Sequence, residues 1–493
     1  MSTQVRLLSA RDALIAALPE DTSYHGAAPD PRFVHLPASH TKALDPNMQV
    51  VVGMRGAGKS FWWAALQDKR LRRLIAGRSD TLQAVERAEI YVGFGEEPDP
   101  NSYPGRDTLG VLLNSGYAPR LVWRTVILHA LSHGHGDARV VGAGTDWASR
   151  VAYVAAHPEA AERFLYDLDL RLDHEGRYAL VLFDALDRSA PDWPTMHRLI
   201  RGLLENALDL RPYRRLRLKA FLRSDQLDKR RVADFPDASK VLSVRVELSW
   251  LHRELYAMLF QYLGNAEDDA FRREVEEHFG HRWDEVEGIF LPPAALVRDE
   301  EKQRVVFHAI TGPWMGRDRR RGFPYTWVPG HLADAHGRTS PRSFLAALRA
   351  AAEDTYSRYP DHSFALHYES IKRGVQHASE IRRRELQEDY PWVDALLEPL
   401  SGMVVPVAFD EIGRVWCEQG VISKLKSDDF GREHLPPAHL EEDAAGLRRD
   451  LEDLGIFLRM RDGRVNIPDV FRVAYRLGRK GGVRPLGRTA EGQ

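Results

Sequence analysis

Residues 50–63 read Val50-Val51-Val52-Gly53-Met54-Arg55-Gly56-Ala57-Gly58-Lys59-Ser60-Phe61-Trp62-Trp63, and this stretch decides the fold. The β-branched run predicts a strand, and FWWAALQDKR, from Phe61 onward, predicts a helix. Between them Gly53 to Ser60 match G-x-x-x-x-G-K-[ST], a pattern that takes up phosphate when a strand precedes it and a helix follows. Gly53, Gly56 and Gly58 let backbone N–H groups wrap a phosphate with no Cβ in the way, and the helix starting near Lys59 adds its positive end. Lys59 is a mobile cation for the β and γ phosphates, and the Ser60 hydroxyl is a hard oxygen ligand for Mg²⁺. Nucleotide contacts are therefore expected along Gly53, Met54, Arg55, Gly56, Ala57, Gly58, Lys59, Ser60 and Phe61.

Working outward, residues 47–265 alternate short apolar runs with helical stretches. The runs are MQVVVG (48–53), AEIYVGF (88–94), YALVLFD (178–184), LRLKAFL (216–222) and VLSVRVEL (241–248). This is the rhythm of strand and crossover helix, and the lack of polar alternation predicts a parallel sheet covered on both faces. Residues 1–46 read as a lead-in ending at the turn Asp45-Pro46-Asn47. Residues 266–403 read as a helical lid, with SPRSFLAALRAAAEDTY and ESIKRGVQHASEIRRREL helical and TGPWMGRDRRRGFPYTWVPGH a break. In 404–493, helical EEDAAGLRRDLEDLG precedes IFLRMR and RVNIP, which flank the hairpin signal Asp462-Gly463. The expected fold class is thus α/β: a P-loop NTPase sheet sandwiched by helices, a helical lid and a C-terminal winged-helix domain.

The run Leu180-Val181-Leu182-Phe183 ends in Asp184, where a carboxylate for Mg²⁺, acting through water, should stand beside the phosphate loop. The next residues are Ala185 and Leu186, so the next acid, Asp187, is the candidate for orienting the attacking water. The competing reading is that Asp187 caps a helix or pairs with Arg188. FDALD resembles the D-x-x-D ending of the second Walker motif in STAND-type signalling ATPases, and the layout over about 50–350 resembles AAA+ ATPases. Hydrolytic relatives place a glutamate directly after the first aspartate. Its replacement by Ala185 implies slow hydrolysis.

The resemblance implies further site residues. A polar residue ending the next core strand senses the γ phosphate in such proteins; LRLKAFLRSDQ offers Arg223, with a loop ion pair to Asp225 as the alternative. A lid arginine at a G-x-P-R-like helix start reaches the nucleotide, and Gly337-Arg338-Thr339-Ser340-Pro341-Arg342-Ser343-Phe344 resembles it. There Ser340 is the expected N-cap, Pro341 sits in the first turn, and Arg342 is the lid sensor. The run Gly316-Arg317-Asp318-Arg319-Arg320-Arg321-Gly322 supplies an arginine finger to a neighbouring subunit, or is a solvated loop or an anion patch. No N-K-x-D loop for guanine follows a core strand, so ATP is the expected nucleotide.

Composition sets the outer limits. The chain has 493 residues, 43% hydrophobic and 28% charged, with a formal net charge of −2. That length suits roughly three domains of an ordinary globular protein, and whole-chain charge draws it to neither nucleic acid nor acidic lipid. Cys417, the one cysteine, excludes an internal disulfide framework and is expected to be a small buried hydrophobe. Charges throughout MSTQVRLLSARDALIAALPED argue against a signal peptide, and no uncharged apolar run spans a bilayer. The expected location is the cytoplasm, and the Arg- and Ala-rich vocabulary resembles that of a high-GC bacterial genome.

His129, His133 and His135 lack the acid or cysteine spacing of a metal site and read as polar loop positions. Trp62 and Trp63 read as helix packing. Arg459, Arg461, Arg464, Arg472, Arg476, Arg479, Lys480, Arg484 and Arg488 face only Asp462 and Asp469 within 459–488, so the C-terminal end is basic. That suits duplex DNA, although winged helices that bind only protein read the same way. The expected function is an ATP-driven switch that self-associates or docks a protein partner, of the regulator kind found in bacterial conflict systems by resemblance. The alternative is a DNA-gripping ATPase. A small-molecule kinase would leave the lid arginine and the C-terminal residues unexplained.

Overall fold

A computed structural model describes residues 5–20, 28–136, 138–142, 144–227, 232–427, 435–479 and 483. Its centre is a parallel sheet of β1 (Val50–Gly53), β2 (Ala88–Phe94), β3 (Tyr178–Phe183), β4 (Leu216–Arg223) and β5 (Val246–Glu247), in the order β2-β3-β4-β1-β5. Side chains alternate along each strand, and the two sets enter different cores. Val50, Val52, Ala179, Val181, Phe183, Ala220 and Leu222 pack against Trp123, Val126, Leu199 and Leu203 of the helices Pro119–Gly134 and Trp193–Asp209. Val51, Leu180, Leu182 and Phe221 face Trp62, Leu66, Leu71 and Ile75 of the helices Lys59–Gln67 and Lys69–Gly77. Continuous apolar strands are explained by this double covering.

Four strands follow the expected runs closely, and the fifth does not: Val241 and Leu242 end a short helix, Ala238–Leu242, and only Val246–Glu247 pairs with β1. Parallel registry sets Gly53 beside Arg223 and Phe183 beside Ala220. The C-terminal ends of β1, β4 and β3, the edge where open α/β sheets place ligands, therefore lie side by side.

The second body is helical. Leu7, Leu14 and Leu18 from the lead-in join Leu255, Leu259, Phe307, Phe344, Leu348, Ile371 and Val375 in one apolar cluster. The lead-in helix Ala10–Ala17 is thereby fixed to the lid, with Arg349 donating to the Ile15 and Leu18 carbonyls. The stretch from Ala43 to Met48 is tied to the sheet: Lys219 on β4 is fully buried and donates to the carbonyls of Ala43, Asp45 and Met48. The long helices Pro341–Arg358 and Tyr368–Asp389 form an antiparallel pair, and a Cβ on Gly374 would lie 2.1 Å from the Ala347 carbonyl oxygen, so their backbones touch. Within the stretch expected to break the lid, Pro324–Leu332 is helical despite Pro329.

The C-terminal segment carries helices Phe409–Glu418, Val421–Ser427 and Asp443–Asp453, then strands Leu458–Arg459 and Val465–Asn466 paired across the Asp462-Gly463 turn. Val407 bridges Val465 on the other side. Leu396, Trp416, Leu451 and Phe471 belong to the same apolar cluster as the sheet face, and Trp193 Nε1 donates to the Pro436 carbonyl at 2.6 Å. Two expectations fail here. Cys417 is exposed because it lies on the outer side of a helix whose inner side is Ile412 and Trp416. Arg472 is fully buried, neutralised by Asp469 at 2.8 Å and capped by the Leu477 and Val483 carbonyls, so it is no part of a basic surface. Lys480, Arg484 and Arg488 lie outside the described residues.

Candidate active site

The loop after β1 is shaped by its glycines. Gly56 has φ +76 and Gly58 φ +102, conformations that L side chains rarely adopt. Gly58 stands at the N-terminus of the helix Lys59–Gln67, so the helix's unpaired N–H groups open toward the loop. Trp250 Nε1 donates to the Ala57 carbonyl at 2.9 Å and braces the loop from outside. Trp62 is buried, and its Nε1 donates to His40 Nδ1 at 3.0 Å, a packing role as expected from sequence.

Lys59 Nζ donates to the carbonyls of Gly53 and Met54 at 3.0 Å each. Burial lowers its ammonium to about 8, helped by the nearby Arg223 and opposed by Asp184, Asp187 and Asp225. Asp184 is 5% exposed, and the Ser60 hydroxyl beside it favours its charged form. Burial pushes its carboxyl up to about 6 against the pull of Ser60 and Lys59. A hydroxyl and a carboxylate thus meet beside the lysine, a donor set of hard oxygens that fits Mg²⁺.

Between Asp184 and Asp187 the chain turns through Ala185 at φ 54, a left-handed conformation that costs an alanine about 1–2 kcal/mol. The turn aims Asp187 at Arg223, 3.7 Å away. Arg188, the alternative partner, binds Glu96 at 2.5 Å instead. Arg223 also reaches Asp225 at 3.3 Å and Asp389 at 3.0 Å, and lies over the Tyr390 ring at 4.7 Å. Burial opposes its charge, and these acids hold the guanidinium above its ordinary value.

The lid closes on the loop. Ser340 occupies the N-cap position of Pro341–Arg358, but its hydroxyl makes no cap hydrogen bond and donates to the Gly56 carbonyl at 3.3 Å. A Cβ on Gly56 would lie 2.5 Å from that hydroxyl. Arg342 pairs with Glu385 at 2.6 Å, and Glu385 also binds Arg382 at 2.8 Å. Arg55, inside the loop, binds Glu388 at 3.0 Å and also Asp389. Burial alone would raise Glu385 and Asp389; the surrounding arginines hold both below the usual carboxylate range.

The phosphate-loop residues, Asp184, Asp187, Arg223 and Arg342 are therefore brought together. Arg317, Arg319, Arg320 and Arg321 are exposed and take no part in the hydrogen bonds or ion pairs of this site. His129 binds the Asn101 carbonyl at 2.8 Å, His133 stacks on it, and His135 pairs with Glu89 at 3.0 Å. Missed from sequence were Glu385, Glu388 and Asp389, and with them the ion pairs that Arg55 makes to Glu388 and Asp389. The only signal was Glu385-Leu386-Gln387-Glu388-Asp389 itself, whose acids three and four residues apart share a helix face.

No family model matches the chain, and no curated relative matches it. Among solved structures, the Aeropyrum pernix ORC2 protein in ADPNP–ADP complexes is similar at a TM-score of 0.37 and 14% identity, over 92% of this chain and 93% of that one. Cdc6p from Pyrobaculum aerophilum is similar at 0.31 and 11%, over 90% and 94%. A Walker-type ATPase of Pyrococcus abyssi is similar at 0.37 and 12%, over 89% and 97%. No helix among the described residues is long and apolar enough to cross a membrane.

Proposed function

We propose that this chain binds ATP with Mg²⁺ and hydrolyses it slowly, as an AAA+ or STAND-like conformational switch. The observation that carries the reading is the meeting of Ser60 with Asp184 beside Lys59, at the mouth of a glycine loop whose φ angles demand glycine. Gly53 to Phe61 hold the phosphates; Ser60, with Asp184 acting through water, would hold the metal, which would supply charge neutralisation at the phosphates. Asp187 positions water, while Arg223 from the core and Arg342 from the lid read the terminal phosphate. Three helices, a hairpin and the Val407–Val465 bridge support a winged helix as the output module, working in the cytoplasm on a second copy or a protein partner. A bacterial conflict-system role is the biological setting we favour, by resemblance. Equilibrium binding of a fluorescent ATP analogue and phosphate release, each on wild type and Lys59→Ala, test the core reading. Equal binding by the two proteins would refute it.

A second reading, a DNA-binding ATPase, is favoured by Arg459, Arg461 and Arg464, all exposed on or beside the hairpin, although Arg464 is already paired with Asp462 at 2.7 Å. Duplex binding that weakens steeply with salt, together with duplex-stimulated turnover, would establish it.

A further inference from the structure

We propose that Glu385, Glu388 and Asp389 are an internal stand-in for the terminal phosphate of a nucleoside triphosphate, and that Arg55 is one of the guanidinium groups that phosphate must win from them. The inference rests on the nucleotide-binding reading above and deepens it into regulation of the same site.

Arg55, Arg223 and Arg342 come from the phosphate loop, the end of β4 and the start of the lid helix, and each is bound by a carboxylate of one helical turn. Asp389 bridges two of them, being bound by Arg223 at 3.0 Å and by Arg55. Glu385 is 5% exposed and binds Arg342 at 2.6 Å. Guanidinium groups gathered this closely repel one another and need anions among them. Carboxylate and phosphate oxygens offer the same acceptors to the planar guanidinium fork, so either can fill the place. Ser340 holds the lid on the Gly56 carbonyl while the carboxylates are in place.

Two consequences follow. A triphosphate binds only to the fraction of molecules that has released the carboxylates, so its apparent affinity is lowered by that fraction. A diphosphate, lacking the group that competes for the arginines, gains little from release.

The test is titration of the full chain with a non-hydrolysable ATP analogue and with ADP, in Mg²⁺. Asp389→Asn should tighten the analogue by about tenfold and leave ADP unchanged. Glu388→Gln, whose side chain is 69% exposed and whose loss does not threaten folding, should tighten the analogue by a smaller factor. Arg55→Ala should weaken the analogue by a larger factor than ADP. Unchanged or weakened analogue binding in Asp389→Asn and Glu388→Gln, or equal tightening for both nucleotides, would overturn the stand-in while the nucleotide site survives. Absence of binding by wild type and variants alike would overturn the nucleotide reading, and the stand-in with it.

Discussion

The phosphate loop and the charge cluster facing it are built in opposite ways. The loop is a backbone device: consecutive residues, glycines at positive φ, and a helix N-terminus, all contained in Gly53–Ser60. The cluster is a side-chain device, joining Arg55 to Glu388, Arg223 to Asp389 and Arg342 to Glu385 across the chain. A local device tolerates little change at any position, whereas a distributed one loses its pairs singly, because Arg55, Arg223, Glu385 and Asp389 each keep a second partner.

That contrast is sharpest at Lys59. Lys59→Ala should lower nucleotide affinity by about a hundredfold or more, a far larger effect than the modest fall in melting temperature expected from the lost donor to the Gly53 and Met54 carbonyls, as read by titration and thermal unfolding. Gly56→Ala comes next. It meets both a left-handed backbone and the Ser340 hydroxyl at 2.5 Å, so it should destabilise the closed lid by about 1–3 kcal/mol in denaturant titrations. A variant as stable as wild type would mean that the loop is less constrained than its φ angle implies. Asp187→Asn should slow phosphate release by about ten- to a hundredfold with binding retained, and an unchanged turnover number would remove Asp187 from the chemistry. Arg342→Ala should be mildest. Glu385 keeps Arg382 at 2.8 Å, so stability should fall by only about 1–2 kcal/mol while the response to the third phosphate is lost. A loss as deep as that of Lys59→Ala would show that the cluster is not distributed after all.

The same contrast explains what the sequence disclosed. The glycine spacing, the apolar runs of β1 to β4 and the Asp462-Gly463 turn are short-range signals, and they locate elements because neighbouring residues dictate their conformation. Arg223 and Arg342 were reachable through resemblance, each standing at the end or start of a recognisable element. The acids of Tyr368–Asp389 were not, since an acidic helix face reads as solvated until its partners are known. Arg472 and Cys417 failed for a related reason. Whether an arginine is a surface charge or a buried strut depends on Asp469 and on the carbonyls of Leu477 and Val483, which only the tertiary fold supplies. A helix likewise has two sides, and composition did not say which one Cys417 occupies.

The contact between the two long helices at Gly374 has a mechanical consequence. With backbones touching there, Pro341–Arg358 and Tyr368–Asp389 form a stiff beam whose members do not slide independently. One tip of that beam carries Ser340, Arg342, Glu385 and Asp389, at the phosphate loop. Ten residues back, about 15 Å along the axis, Ser379 accepts from the Ala474 amide at 3.1 Å and donates to the Val470 carbonyl at 2.9 Å. A tilt that lifts the tip off the loop must therefore drag the C-terminal segment with it, so the beam works as a lever with its load already attached.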